Sequence, residues 1–484
     1  MISFFLFVFV LTLQQAIALP NGCVTDASSL SSENDPIDYV KCSGSNFTEV
    51  MEFYRDQNIL ELIIENCNPV IPRLTKLPNI TVSTLAILKC SIEEVDDDTF
   101  ENVHNLTTLI LAQNAITTFI SLDHLPVINE LHLSRNKINH IPNGTFQRNS
   151  VAGNKTDLNF KFLDLSYNNL TEITNDNFVG LTSVEALHLQ YNQIGDIGTD
   201  AFRGVNIIGL NLGGNKLTRL TAGTFSSLPN LGALAVHENH LHELENGTFA
   251  PMRNLSALLL DKNDLEQLSS QMFDGLESLF YLDLSYNKLS NLDHDVLHKM
   301  PKLMNLSLAH NQLSNLSPSL LSKSEGLFKL YLQNNKIETL PKGFISNSPM
   351  LREIYLSNNT LRELNSDAFV DCRLLRFFDL RYNNLTTVPE DFVGINPLQG
   401  VFKLLLPTFG DYFLLLEGNP IVCDDKLKWL GDAMKDNSVR VNRICATTFP
   451  KCVAPFKHVG KSLKDAYVTV AEQITYDEIT NSFV

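Results

Sequence analysis

The stretch LFYLDLSYN, Leu279 to Asn287, is followed at 24-residue intervals by LMNLSLAHN (Leu303 to Asn311), LFKLYLQNN (Leu327 to Asn335) and LREIYLSNN (Leu351 to Asn359). The shared pattern is an apolar residue, two variable ones, an apolar, one variable, an apolar, two variable, then Asn. Its centre alternates, which predicts a short strand whose every second side chain points inward. Outward from this stretch, the last position is filled by Cys67, Cys90, Asn114, Asn136, Asn168, Asn192, Asn215, Asn239, Asn263, Asn287, Asn311, Asn335, Asn359 and Asn383, with a final match at Asn419. From Asn215 to Asn383 every step is 24 residues. One such repeat is one turn of a coil, and stacked turns make a parallel sheet along one wall with leucines filling the core behind it. The terminal Asn stands where the chain leaves the strand, so its amide is expected to bond backbone groups of neighbouring turns in a ladder.

About ten residues after the ladder position an aromatic recurs, at Phe100, Phe146, Phe178, Phe202, Phe225, Phe249, Phe273 and Phe369, predicting a second line of core stacking. Two steps break the period: Asn136 to Asn168 leaves extra residues near 147–157, and Asn383 to Asn419 leaves an irregular apolar segment near 397–412. The chain of 484 residues is 44% apolar and 19% charged, which excludes wholesale disorder. Lys and Arg number 37 against 54 Asp and Glu, a net charge of −17 without any long basic run. That balance argues against nucleic acid, heparin-like sugars or anionic lipid as partners. Ile2 to Leu13 is an apolar run followed by the small-x-small triplet Ala16, Ile17, Ala18, which predicts a signal peptide over 1–18 and an extracellular product. No later stretch has the length of apolar sequence expected of a membrane span.

The 24-residue period with its recurrent Phe resembles the typical subfamily of extracellular leucine-rich repeat proteins, and the resemblance covers residues 59 to 464. It implies an α/β repeat solenoid, a horseshoe with a parallel concave β-sheet and cysteine-containing caps at both ends. The domains expected are a signal peptide (1–18), an N-terminal cap (19–58), about fourteen repeats (59–410), a C-terminal cysteine cap (411–464) and a tail (465–484). NPIVCDDKLKWL (Asn419 to Leu430) and CVAPFKHVGKSL (Cys452 to Leu463) are similar to the family's C-terminal cap, but Asp425 replaces the second Cys of its usual Cys-Asp-Cys. By that analogy Cys423 pairs with Cys452, and Cys23 and Cys42, flanking the other end, form the second pair. Cys67 and Cys90 occupy adjacent ladder positions, where a bridge and two buried thiols are both open. Cys372 is read as a buried thiol, and Cys445 as a candidate for an intermolecular disulfide, with a local bridge to Cys452 or a buried thiol as alternatives.

Function is expected on the variable strand positions, which point to solvent from a rigid sheet. Tyr is over-used there, and Tyr281, Asp283, Tyr286, Tyr331, Tyr355, Arg376, Asp379, Arg381 and Tyr382 make up the candidate contact surface for an extracellular protein. Acceptor triplets for N-glycans occur at Asn46, Asn79, Asn105, Asn143, Asn154, Asn169, Asn246, Asn254, Asn305, Asn315, Asn358 and Asn384. Of these, Asn305 and Asn358 are predicted to face the concave sheet, where a glycan blocks part of it. A column of His132, Asp164 and His188 invites a metal reading, but solvated strand residues explain it, and neither metal nor cofactor is expected. His237 to His242 resembles a zinc-protease motif only superficially, because Leu241 stands where the second His is needed. With no nucleophile elbow, phosphate loop or dinucleotide fingerprint, the chain is read as a non-enzymatic recognition scaffold. The resemblance points to innate-immune or receptor-type ligand recognition similar to Toll-like ectodomains and arthropod leucine-rich immune proteins, with homo- or hetero-oligomers admitted through Cys445. The alternative is a cell-adhesion or matrix protein.

Overall fold

The computed structural model describes residues 19–25, 36–147, 158–369, 374–389, 412–435, 439–441, 451–454 and 459–462. They divide into two compact units, one running to Ile138 and one from Asn139 onward that excludes 148–154. The fold class is the expected parallel β-solenoid, with the same coil in both units.

In the first unit Cys23–Thr25 pairs antiparallel with Ile37–Ser43, which pairs in parallel with Asn58–Glu65. The sheet continues in parallel through Ile80–Leu88 and Thr108–Ile110 to Glu130–His132. The helix Phe47–Phe53 caps this end by burying Phe47, Val50 and Met51. Asn46 is its N-cap, with Oδ1 accepting from the backbone N–H of Thr48 at 3.0 Å. Disulfides join Cys23 to Cys42 and Cys67 to Cys90, so the open question at the two ladder cysteines resolves to a bridge between adjacent turns.

Among the described residues of the second unit, eleven strands of the main sheet run in parallel from Leu158–Asp164 to Tyr412–Leu415, with one register shift after Leu158, and Val439–Val441 adds a twelfth at the end. From Ala233–Ala235 to Glu353–Tyr355 each strand is three residues long, because the turn out of it comes at once. The inward leucines Leu284, Leu308, Leu332, Leu356 and Leu380 are buried to 1% or less. Phe146, Phe178 and Phe202 stack at 5.8 and 5.6 Å, and Phe249 stacks on Phe273 at 6.3 Å, as the second core line requires.

The ladder is an interlocked hydrogen-bond network. Asn263 Nδ2 donates to Val236 O at 3.0 Å and Leu260 O at 3.1 Å, and its Oδ1 accepts from Leu241 N–H at 2.9 Å. Val236 O also accepts from Asn239, and Leu260 O from Asn287, so each carbonyl serves two asparagines. The residue before each ladder position from Asn66 to Gly418 has a positive φ, including Tyr191 (57°), Gly214 (64°), Tyr286 (54°) and Tyr382 (55°). This left-handed residue turns the chain out of the strand at every repeat. The last turn is closed by the Trp429 indole N–H donating to Val388 O at 3.0 Å and by the Cys423–Cys452 disulfide. With Cys452 engaged there, the local Cys445–Cys452 alternative is overturned. Cys445, Cys372, Asn154, residues 1–18, the 401–411 segment and most of the 147–157 insertion lie outside the described residues.

Candidate functional site

In the second unit the solvent side of the sheet carries three columns of side chains, one from each exposed strand position and one from the left-handed exit residue. Parallel pairing aligns Asp283, Ser307, Tyr331, Tyr355 and Asp379 in one column, and Tyr281, Asn305, Lys329, Glu353, Phe377 and Phe413 in the next. Neighbouring strands lie about 4.8 Å apart, so aromatic residues in a column stack. Tyr331 stacks on Tyr355 at 4.6 Å, Tyr355 meets Phe377 at 5.1 Å, and Phe377 meets Phe413 at 6.5 Å.

Polar groups fix this aromatic run. Tyr355 Oη donates to Glu353 Oε2 at 2.8 Å, and Glu353 pairs with Lys329 at 2.9 Å. Burial, followed by the hydrogen bond to Glu353, raises the Tyr355 hydroxyl above the usual phenol range. Arg381 donates through Nε and Nη2 to both oxygens of Asp379 at 2.8 Å each. The Asp379 hydrogen bond raises the Arg381 pKa, which keeps the guanidinium charged. At 3% exposure Asp379 is covered, with both its oxygens engaged by Arg381. Arg376 is half-buried with Nη1 donating to Leu375 O at 2.9 Å.

The remaining candidates are not part of that cluster. Tyr281 Oη donates to Asp283 Oδ2 at 3.3 Å, and burial with the Asp283 charge pushes its hydroxyl up to about 12. A repeat bearing Asn305 and Ser307 separates this pair from Tyr331. Tyr286 and Tyr382 belong to the exit column, both exposed. Tyr286 stacks on His310 at 3.9 Å, and His310 meets Asn334 at 3.0 Å. Tyr382 lies over Gly418, where a Cβ would come within 2.3 Å of its ring. The same arrangement recurs nearer the N-terminal end: Tyr167 stacks on Tyr191 at 4.5 Å, and the Tyr191 ring crosses Gly214 to place its hydroxyl 3.2 Å from Glu238, which pairs with Lys262.

Sequence reasoning missed Lys329, Glu353, Phe377 and Phe413, because it weighed the second exposed strand position and the exit position and passed over most of the first. Reading that first position repeat by repeat would have found them. Asp164 accepts from Ser166 N–H and His188 packs against Phe162 at 4.6 Å. Among the described residues no group of three His, Cys, Asp or Glu side chains is placed to hold a metal ion. Leu241 is fully buried and Asn239 is a ladder residue, so the His237–His242 stretch is strand exit and core.

The acceptor asparagines differ in their surroundings. Asn79 Nδ2 donates to Asp56, Asn246 to Gln271 and Asn254 to Pro229 O. Asn105, Asn143, Asn169, Asn315, Asn358 and Asn384 are exposed, and Asn305 is half-exposed in the sheet. No helix among the described residues is long and apolar enough to cross a membrane.

Comparison with known proteins agrees with this geometry. Nine segments match the leucine rich repeat family, one at 80–138 and eight overlapping ones running from 158 to 399. The chain is 33% identical over 153 residues to human leucine-rich repeats and immunoglobulin-like domains protein 1, covering 31% of this chain and 13% of that protein. It is 27% identical over 257 residues to Toll-like receptor 3 of Bos taurus, covering 46% of this chain and 28% of the receptor. It thus spans less than a third of either relative. The fold is shared with the solved Toll–Spätzle complex of Drosophila, with a TM-score of 0.58 at 18% identity, covering 90% of this chain and 73% of that one. Ladder, core and family match together make this chain a member of the leucine-rich repeat family.

Proposed function

We propose that this chain is a non-enzymatic, extracellular protein-recognition scaffold of innate-immune or receptor type, which binds a protein ligand on the open face of the sheet in its second unit. The observation that carries the reading is the run Tyr331, Tyr355, Phe377 and Phe413 beside the Asp379-held Arg381. Stacked aromatics fixed by their own hydrogen bonds lose little entropy on binding, and a pre-oriented guanidinium adds a directional charge, which is the composition of a binding hot spot. Parallel strands keep these groups in fixed spacing. Three disulfides support an oxidising, extracellular setting. The similarity to a receptor supports ligand recognition as a use of this fold.

The test is to display the wild type and a Tyr331→Ala, Tyr355→Ala variant in native extracellular fluid and compare what each retains. A soluble protein retained by the wild type and lost from the variant supports recognition. Retention of both on insoluble matrix, independent of the patch, supports the adhesion alternative.

A further inference from the structure

We infer that the protein ligand of the open sheet face presents a segment of Asp or Glu beside apolar side chains, and that Arg352, held over the Phe328 ring at the edge where the chain enters the strands, pairs with its carboxylates. The inference rests on the reading of the Tyr331–Arg381 face as a protein-binding site and names the chemistry of its partner.

The chain carries a net charge of −17, yet acid is not spread evenly along the open face. At the variable positions in and beside the strands from Lys161 to Tyr286, Asp164, Glu185, Glu238, Asp261 and Asp283 outnumber Lys161 and Lys262. From Phe328 to Tyr382 the balance reverses, with Lys329, Arg352, Arg376 and Arg381 against Glu353 and Asp379. Both of these carboxylates are already engaged. Glu353 pairs with Lys329 at 2.9 Å and accepts from the Tyr355 hydroxyl, while Asp379 takes the two donors of Arg381. Arg352 is left over: it is exposed, and no carboxylate among the described residues pairs with it. Its guanidinium carbon lies 5.1 Å from the centre of the Phe328 ring, and Lys329 Nζ lies 6.0 Å from the same centre.

A guanidinium stacked on an aromatic ring keeps its planar donors oriented and open at their edge, which suits a carboxylate arriving from solvent. The stack also joins the arginine to the aromatic run. Phe328 faces Lys329, Lys329 pairs with Glu353, Glu353 holds Tyr355, and Tyr355 meets Tyr331 on one side and Phe377 on the other. Arg376 stands at the same position of the next turn, its backbone N–H donating to Arg352 O at 2.9 Å, so a second positive charge follows about one strand spacing, ~4.8 Å, further on. A polypeptide alternates charged and apolar side chains on this scale, so its acids can meet the arginines while its apolar residues lie on Tyr331, Tyr355 and Phe377. A uniformly charged polyanion fits worse, because it would also lie over Glu353 and the rings. The acidic stretch before Tyr286 repels the same segment, which sets where along the sheet the ligand docks.

The experiment pans a phage-displayed random-peptide library on the full glycosylated chain, on Arg352→Glu and on Tyr331→Ala, Tyr355→Ala, all of matched melting temperature. Peptides enriched on the wild type are expected to combine Asp or Glu with aromatic or aliphatic residues, and those peptides are expected to be lost from Arg352→Glu. The most enriched acidic peptide, synthesised with a neutral dye and titrated by anisotropy, should bind Arg352→Glu at least about ten-fold more weakly, with Lys323→Glu, the same charge change outside the sheet, unaltered. Replacing its acids by Asn or Gln should cost a similar factor, and raising salt from about 50 to about 300 mM should weaken the wild-type complex several-fold. Peptides enriched without acids on the wild type and lost from the tyrosine variant overturn this inference and leave the recognition reading standing. Heparin bound through Arg352 while acidic peptides are not bound assigns the edge to polysaccharide and likewise overturns it. Peptides retained equally by the wild type and the tyrosine variant, or none enriched on either, overturn the inference together with the reading on which it rests.

Discussion

Replacing Asn263 with Ala is the sharpest test of the ladder, because its cost follows from which partners are left behind. Asn263 is 6% exposed and makes three good bonds, two as donor to Val236 O and Leu260 O and one as acceptor from Leu241 N–H. The two carbonyls do not become orphans, since Asn239 still serves Val236 O and Asn287 still serves Leu260 O. The Leu241 N–H does, inside a core where Leu241 itself is fully buried. An orphaned buried donor costs about 1–3 kcal/mol and each of the two lost donor bonds about 0.5–1.5 kcal/mol, so the expected loss is about 2–6 kcal/mol. Removing Asn287 as well strips Leu260 O of both donors, so the double variant should exceed the sum of the singles by about 1 kcal/mol. Urea unfolding of the full chain measures the loss, and hydrogen exchange at the Leu241 amide locates it. A loss below about 0.5 kcal/mol, or strict additivity in the double variant, would refute the shared-carbonyl account.

Further outcomes follow from the open face. Gly214→Asn, a residue that tolerates the left-handed φ of 64°, should displace the Tyr191 ring, since a Cβ there would sit 2.4 Å from it, and loss of the Tyr191–Glu238 bond should appear as a shifted Tyr191 ring resonance. Asp379→Ala should cost about 1–2 kcal/mol by leaving Arg381 without its acceptor, and Arg381→Lys should retain stability while losing the two-pronged geometry, both read by thermal unfolding. Burial, reinforced by Asp283, raises the Asp261 pKa, so the native state binds this proton more tightly than the unfolded chain. Its contribution is therefore favourable below the unfolded carboxylate range and is lost as pH rises through the raised value. Asp261→Asn should then melt higher than wild type at pH 7, and the gain should vanish on acidification through that range; an equal gain at pH 3 and pH 7 would contradict the assignment.

Much of this molecule could be read from its residues, and the exceptions have physical causes. The ladder asparagines, inward leucines and stacked phenylalanines are set by the repeat itself, so spacing alone located Asn263, Leu284 and Phe249. Spacing does not report φ. The left-handed exit residues include Tyr, Lys, Glu, His and Asn, and only Gly214 and Gly418 hinted at the turn. Asp283 and Asp379 occupy equivalent positions, yet only Asp379 is buried, because Arg381 two residues on folds over it while Ser285 cannot. Cys67 and Cys90 were compatible with either state because adjacent turns bring any two ladder positions within bridging distance. Phe377 was legible as a strand residue, but its part in the aromatic run depends on Tyr355 beside it and Phe413 beyond an irregular repeat.

The central claim is that the aromatic and arginine cluster on the open sheet face is a protein-binding site. The most direct measurement is affinity capture from native extracellular fluid by the glycosylated wild type beside a Tyr331→Ala, Tyr355→Ala variant of matched melting temperature, with the retained protein then titrated against both. The account predicts a protein partner bound at least about ten-fold more weakly by the variant, the loss expected from removing two or more hot-spot aromatics. Equal affinity for both would contradict it.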